Sequence, residues 1–263
     1  MLRWCVKSDR LLDPQYAGGY AGLGGLQYLH YKWVAGEDLI KQALALDPSE
    51  PETLDYYSLW LASAGRVKES LSLREQLRTL EPFVPAFNIF SAGVLLVSEQ
   101  GEAAIRTLEA IPADAAEGYF RNLFLAKAYA AAGRYGEAAD TLLLITASFV
   151  SRRSVEDAAR IIRSAPTKTK TPEALPALQE EFSFVYAHVG ALDRMMEPLE
   201  RDLEIHRMAS YGLLLLWSPQ YAPLRKTERF KAYARKAGLV DYWRARGWPD
   251  LCRPVGADDF TCD

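Results

Sequence analysis

The chain has 263 residues, 49% of them hydrophobic and 25% charged, with a formal net charge of -3. That balance suits a globular protein with a sizeable core and excludes a strongly basic nucleic-acid binder on bulk charge. No apolar run approaches the roughly 18 residues that a membrane span needs, so no membrane insertion is expected.

The opening, MLRWCVKSDR, lacks the apolar stretch and small-residue cleavage site of a secretory signal. Cys5, Cys252 and Cys262 are too few and too scattered for a disulfide scaffold, so a cytoplasmic, reducing setting is expected. Residues 1–12 read as the second helix of a hairpin whose first helix is missing, as in a piece of a longer protein or an improvised cap.

The phrases LLDP, LALDP and LRTLEP then end at Pro14, Pro48 and Pro82, at intervals of 34 residues. Proline lacks the donor that an internal helical turn needs, so each one stops a helix and lets the next begin. Within this period the second unit predicts helices over 52–63 and 67–80, with Gly65 ending the first. The third unit, 85–111, looks about three residues short. The fourth, FLAKAYAAAGRYGEAADTLLLI at 124–145, places Ala126 and Ala138 where two helices cross closely, with Tyr129 and Leu142 filling the wider gaps. SVEDAARIIRS (154–164) predicts a further helix, and APTKTKTP (165–172) a polar joint. A fifth hairpin is expected from helices over 173–189 and 193–206 about Gly190.

A 34-residue period of helical pairs resembles the tetratricopeptide repeat, and residues 14–145 carry that resemblance. The last third is similar to the closing segment of multidomain bacterial signalling proteins, in which such an array follows a cyclase, winged-helix or kinase domain. The matching residues are Pro219, Leu224, Arg225, Glu228, Arg229, Phe230, Gly238 and Leu239, followed by LVDYWRARGWPDLCRP. The resemblance implies an all-α fold: an α-α superhelix of about five hairpins with a C-terminal capping helical segment. Its expected divisions are an array over 1–164, a linker over 165–172, and a final hairpin plus cap over 173–263. It also implies a protein-interaction module, not an enzyme, whose partner is a peptide, a protein or an effector domain of a longer chain.

The residues themselves offer little chemistry. The glycine cluster GGYAGLGG (18–25) fails as a phosphate loop, because Gln27 stands where the last glycine belongs and no lysine follows. His30, His188 and His206 are singletons without metal-ligand spacing. Asp258 and Asp259 lie in a loop-rich tail. No catalytic residue, metal or cofactor is expected. Cys252 and Cys262 could close a loop across CRPVGADDFTC, but free thiols are the expectation in a reducing compartment.

Two surfaces remain. Between 224 and 254 nine cations face three anions, with Tyr233, Tyr242, Trp243 and Trp248 interleaved, a mixture that suits single-stranded nucleic acid. The stripe Phe230, Tyr233, Ala234 and Ala237 favours the alternative, a helix that docks its aromatic face and seals the last hairpin. In a stacked array the first helix of each hairpin lines the concave side. Counting from the turn glycines puts Tyr28, Glu52, Asp55, Leu59, Phe120, Lys127, Glu180, Phe184 and His188 on that side, a groove for a peptide with some positive charge, unless a C-terminal helix fills it. Tetratricopeptide clamps for acidic chaperone tails use lysine and asparagine where this chain has Ala21, Gly25, Asp55 and Leu59, so that partner class is not expected.

Overall fold

A computed structural model describes residues 15–112, 118–165, 167–205 and 210–263. The expected half-hairpin at 1–12, Cys5 and His206 lie outside them. Four helical hairpins follow one another: α1 (Ala17–Leu29) with α2 (Trp33–Leu46), α3 (Pro51–Ser63) with α4 (Val67–Leu80), α5 (Pro85–Val97) with α6 (Gly101–Glu109), and α7 (Gly118–Ala131) with α8 (Tyr135–Leu143). Then comes α9 (Arg152–Ser164), which packs on α8. Each helix packs on the next, and α1, α3, α5 and α7 also touch in series, as in a helical-repeat solenoid.

The period is written in the backbone. Left-handed residues end the first helix of each hairpin at Tyr31, Gly65, Glu99 and Gly133, which recur every 34 residues. Glycine takes that conformation without strain, so Gly65 and Gly133 are ordinary terminators, while Tyr31 and Glu99 hold it against a side-chain penalty. The third unit therefore keeps the full period, although α6 has only nine residues. Pro51 and Pro85 start α3 and α5 at the first helical position, where no hydrogen bond is lost. Glu50 caps α3, its carboxylate accepting from the Glu52 and Thr53 amides. Gly24 is required by packing: a Cβ there would meet the Ile40 side chain and the Gly36 carbonyl of α2.

The expected helix over 173–189 does not form. Residues Pro172–Ala174 and Glu180–Phe182 make single 3-10 turns, and only Val185–His188 (α10) is α-helical. Pro176 explains this, since it has no amide to donate and forces Leu175 to extend. The freed groups are rebonded by Tyr186, whose hydroxyl donates to the Pro176 carbonyl at 2.6 Å and accepts from the Leu178 amide at 3.1 Å. The polar stretch before it is tied down as well: the Thr169 amide donates to the Val189 carbonyl at 2.9 Å.

The rest comprises α11 (Asp193–Glu204), α12 (Ser210–Leu215), α13 (Ala222–Arg225), α14 (Glu228–Lys236), α15 (Leu239–Arg246) and a hairpin of β1 (Cys252–Val255) with β2 (Asp259–Cys262). Phe230, Tyr233, Ala234 and Ala237 are buried, as their spacing predicts. The segment seals the first two hairpins, however, and not the last. Three buried indoles make the closure: Trp33 donates to the Ala237 carbonyl at 2.7 Å, Trp217 to Ser63 at 2.9 Å and Trp243 to Ala64 at 2.9 Å. Ser63 and Ala64 end α3, where carbonyls lack a helical partner, so the tail satisfies groups the array leaves over. The Asp250 amide adds a bond to the Gly65 carbonyl at 3.1 Å.

Cys252 and Cys262 are joined in a disulfide, contrary to the expected free thiols. The antiparallel register sets them directly opposite each other across the hairpin, whose turn uses Gly256 at φ 64. The reducing setting thus loses its premise for two of the three cysteines. No helix among the described residues is long and apolar enough to cross a membrane.

Candidate functional site

The nine residues expected to line a groove fall into separate environments. Glu52 is exposed and Leu59 half-buried on the open face of α3. Asp55 is not on that face: it is buried and paired with Arg74 of α4, whose guanidinium also reaches the Asp55 carbonyl at 3.2 Å. Burial raises the Asp55 carboxyl above its ordinary value even with that cation beside it. Tyr28 packs between Trp33 and Trp60, with ring centroids 5.3 and 4.8 Å away, and its hydroxyl donates to Ser63 Oγ at 3.1 Å. It is part of the wall where the first hairpins meet the tail.

Lys127, Phe184 and His188 are brought together, but in the interior. Lys127 of α7 is fully enclosed, its ammonium 5.2 Å from the Phe124 ring centre and 5.7 Å from that of Phe184. Burial lowers its pKa to about 8, against the attraction of Glu180 and Glu181. His188 stands against Tyr135 and Phe184, with centroids at 5.7 and 6.4 Å. Residues 180–188 thus lie on the array as an inner wall. The groove is filled further along by α12, which packs across α3 and α5. A Cβ at Gly93 of α5 would strike Phe124 and crowd Leu214.

His188 gives the fold an acid sensitivity. Burial, helped by Lys168, lowers its pKa from 6.5 to about 4, so the folded protein holds it neutral while the unfolded chain protonates near 6.5. Stability is therefore full above pH 6.5 and lost as pH falls toward 4, by up to about 3 kcal/mol for this group. Urea midpoints at pH 7 and 4.5 should differ clearly more in the wild type than in His188→Gln. Equal differences would remove His188 as the cause.

A partly exposed aromatic row was mostly missed by the counting rule. Phe90 of α5 lies 5.7 Å from Phe120 of α7, Phe120 lies 4.9 Å from Tyr119, and Tyr119 lies 4.9 Å from Phe149 in the loop before α9. Phe90, Tyr119 and Phe120 are half-buried and Phe149 is 64% exposed. The Tyr119 hydroxyl donates to Glu181 Oε1 at 3.2 Å, which sets a carboxylate beside the rings. Of the predicted residues only Phe120 belongs to this row. Its signal in the sequence was the density of aromatics at the starts of two consecutive first helices.

Most cations of the basic tail are paired within the chain, although Lys226, Arg235, Lys236, Arg244 and Arg253 are exposed. Arg229 grips Glu200 with two bonds of 2.8 and 2.7 Å, and Lys231 and Arg235 share Asp259 at 2.8 and 2.7 Å. Arg225 is buried, donating to the carbonyls of Leu216, Ser218 and Asp263. Arg246 reaches Glu37 and Asp38, and Arg253 reaches Asp263. Tyr233, Tyr242 and Trp243 are buried, so their rings are not offered for base stacking. Among the described residues no cluster of three or more His, Cys, Asp or Glu side chains could hold a metal ion.

No protein-family model matches the chain, and no curated protein is significantly similar to it.

Proposed function

We propose that the chain is a protein-interaction module of the tetratricopeptide kind, which holds a peptide or a partner domain against the first helices of its hairpins. The observation that carries this reading is the partly exposed row Phe90, Phe120, Tyr119 and Phe149. Rigid aromatic side chains give large contact area at low entropic cost and dominate the energetics of such surfaces. Glu181 beside Tyr119 favours a peptide bearing lysine or arginine. Bacterial signalling or transcriptional control is the setting that the resemblance of the last third suggests. A nucleic-acid partner has less support, because most of the tail's cations are paired within the chain and Tyr233, Tyr242 and Trp243 are buried. The disulfide favours an oxidising compartment over the cytoplasm first expected, and therefore signalling over transcriptional control.

The test is selection from a random peptide library on the immobilised full chain, followed by titration calorimetry of the enriched peptides. Peptides with basic and apolar residues should emerge, and Phe90→Ala with Tyr119→Ala should weaken them at least about tenfold. Peptides that bind the double variant equally well, or no enrichment at all, would sink this assignment.

A further inference from the structure

Because consecutive helices run antiparallel, the array has two edges. The turns inside hairpins lie on one, and over hairpins one and two the tail covers it through the bonds of Trp33, Trp217, Trp243 and Asp250. The junctions between hairpins, at 47–50, 81–84 and 144–151, lie on the other. Ten large apolar side chains are left exposed among the described residues, and six of them sit on this second edge: Tyr16, Leu46, Leu80, Phe83, Leu144 and Phe149. Leu46 and Leu80 are equivalent, each closing the second helix of its hairpin. Phe83 is 90% exposed and Leu144 is 64% exposed. Single exposed apolar side chains are ordinary, but their collection along one edge is the mark of an interface.

Charge is polarised along the same edge. At the end formed by hairpins one and two lie Asp47, Glu52 and Glu81, with Arg78 the opposing cation. At the far end, where α9 begins, lie Arg152, which is paired with Glu156 at 3.0 Å, and Arg153. The Arg153 side chain is 90% exposed and only loosely paired, at 3.9 Å from Asp157. An edge with exposed apolar side chains towards both ends, acidic at one end and presenting the exposed Arg153 at the other, matches itself when turned about a two-fold axis. We propose that this edge is an isologous interface with a second copy of the chain, in which the acidic end of one protomer meets the basic end of its partner. Apolar contacts of Phe83, Leu144 and their neighbours supply the affinity, and the charges set the antiparallel direction.

Sedimentation velocity of the full chain from about 1 to 100 μM tests it. The wild type should shift from monomer to dimer across that range. Phe83→Asp with Leu144→Asp should stay monomeric with an unchanged far-UV spectrum and thermal midpoint, since both side chains are exposed. Glu52→Arg and Arg153→Glu should each raise the dimer dissociation constant about tenfold, and the two together should restore it, because the exchange only swaps the ends. A wild type that is monomeric throughout overturns the proposal and leaves the edge to a partner of another kind. A dimer indifferent to the aspartates overturns it too, and a double charge variant no tighter than the single ones overturns the antiparallel arrangement. None of these substitutions touches Phe90 or Tyr119, and because Phe149 belongs to both surfaces the peptide selection is repeated on the Phe83→Asp, Leu144→Asp monomer, so the two results fail or succeed separately.

Discussion

Replacing Glu37 by glutamine is expected to cost the fold about 3–5 kcal/mol, the loss typical of breaking a buried ion cluster from one side. Glu37 of α2 has no exposed surface, yet its carboxylate is the meeting point of three elements far apart in sequence. It accepts from the Tyr57 hydroxyl of α3 at 2.6 Å. Arg66, ahead of α4, stands at 3.3 Å, Arg246 of α15 at 3.1 Å and Lys41 at 3.2 Å. Arg66 extends the network to the Tyr242 hydroxyl at 3.0 Å and to Glu69 with two bonds of 2.7 Å. A neutral amide keeps the volume and one acceptor for Tyr57, but leaves the guanidinium groups of Arg66 and Arg246 facing each other with less negative charge between them. Such a loss is a large part of the stability of an ordinary domain. The urea midpoint should fall accordingly, and proteolysis of 247–258 should become fast, because α15 loses its anchor before the other hairpins do. Tyr57→Phe removes one hydrogen bond and should cost only about 1 kcal/mol. An unchanged midpoint in Glu37→Gln would mean that packing of Trp33, Trp217 and Trp243 holds the tail unaided.

The hairpins were legible because their signals are local. Pro48 and Pro82 announce α3 and α5 a few residues ahead, and Gly65 and Gly133 mark turns whose left-handed backbone the chain adopts. Tyr31 and Glu99 take the same conformation with no residue-type signal, so only the period reveals them. The fifth unit was misread because 173–189 has helical composition, and a single proline at 176 outweighs it by removing a donor and restricting its neighbour. The closure of the tail was beyond reach for another reason: Trp33 and Ala237 are 204 residues apart, and nothing in either segment names the other.

The groove shows the limit of counting along a helix. On α3 the open stripe is Glu52, Tyr56 and Leu59, with Tyr56 52% exposed. Asp55 lies roughly 60° round the helix from Glu52, enough to carry it from the concave face to the seam with α4. Likewise Lys127 and Phe184 are both expected to line the concave groove, and they meet each other as interior partners. Whether a ligand or another part of the chain fills that groove is decided by residues 180–188 and 213–217, whose docking leaves no periodic trace.

The Asp55–Arg74 pair follows from that misplacement and predicts the second large effect. Asp55→Lys, which would probe a groove by charge reversal, should instead set two cations together in the seam of hairpin two and prevent stable folding. The informative series is Arg74→Met, Asp55→Leu and both together. Arg74→Met alone should cost about 3–5 kcal/mol near neutral pH, since it strands a buried carboxylate. That cost should shrink in acid, because Asp55 already has a raised pKa from burial and protonates more readily once its cation is gone. Asp55→Leu alone should be similarly harmful, leaving a buried guanidinium whose Nε already lacks a partner. The double variant should recover most of the loss, because two apolar side chains need no solvation. A coupling of at least about 2 kcal/mol between the two sites is expected from denaturant titration of the four proteins. Additive costs would show that each side chain is solvated by its own surroundings, and that the seam between α3 and α4 is wetter than the buried pair implies.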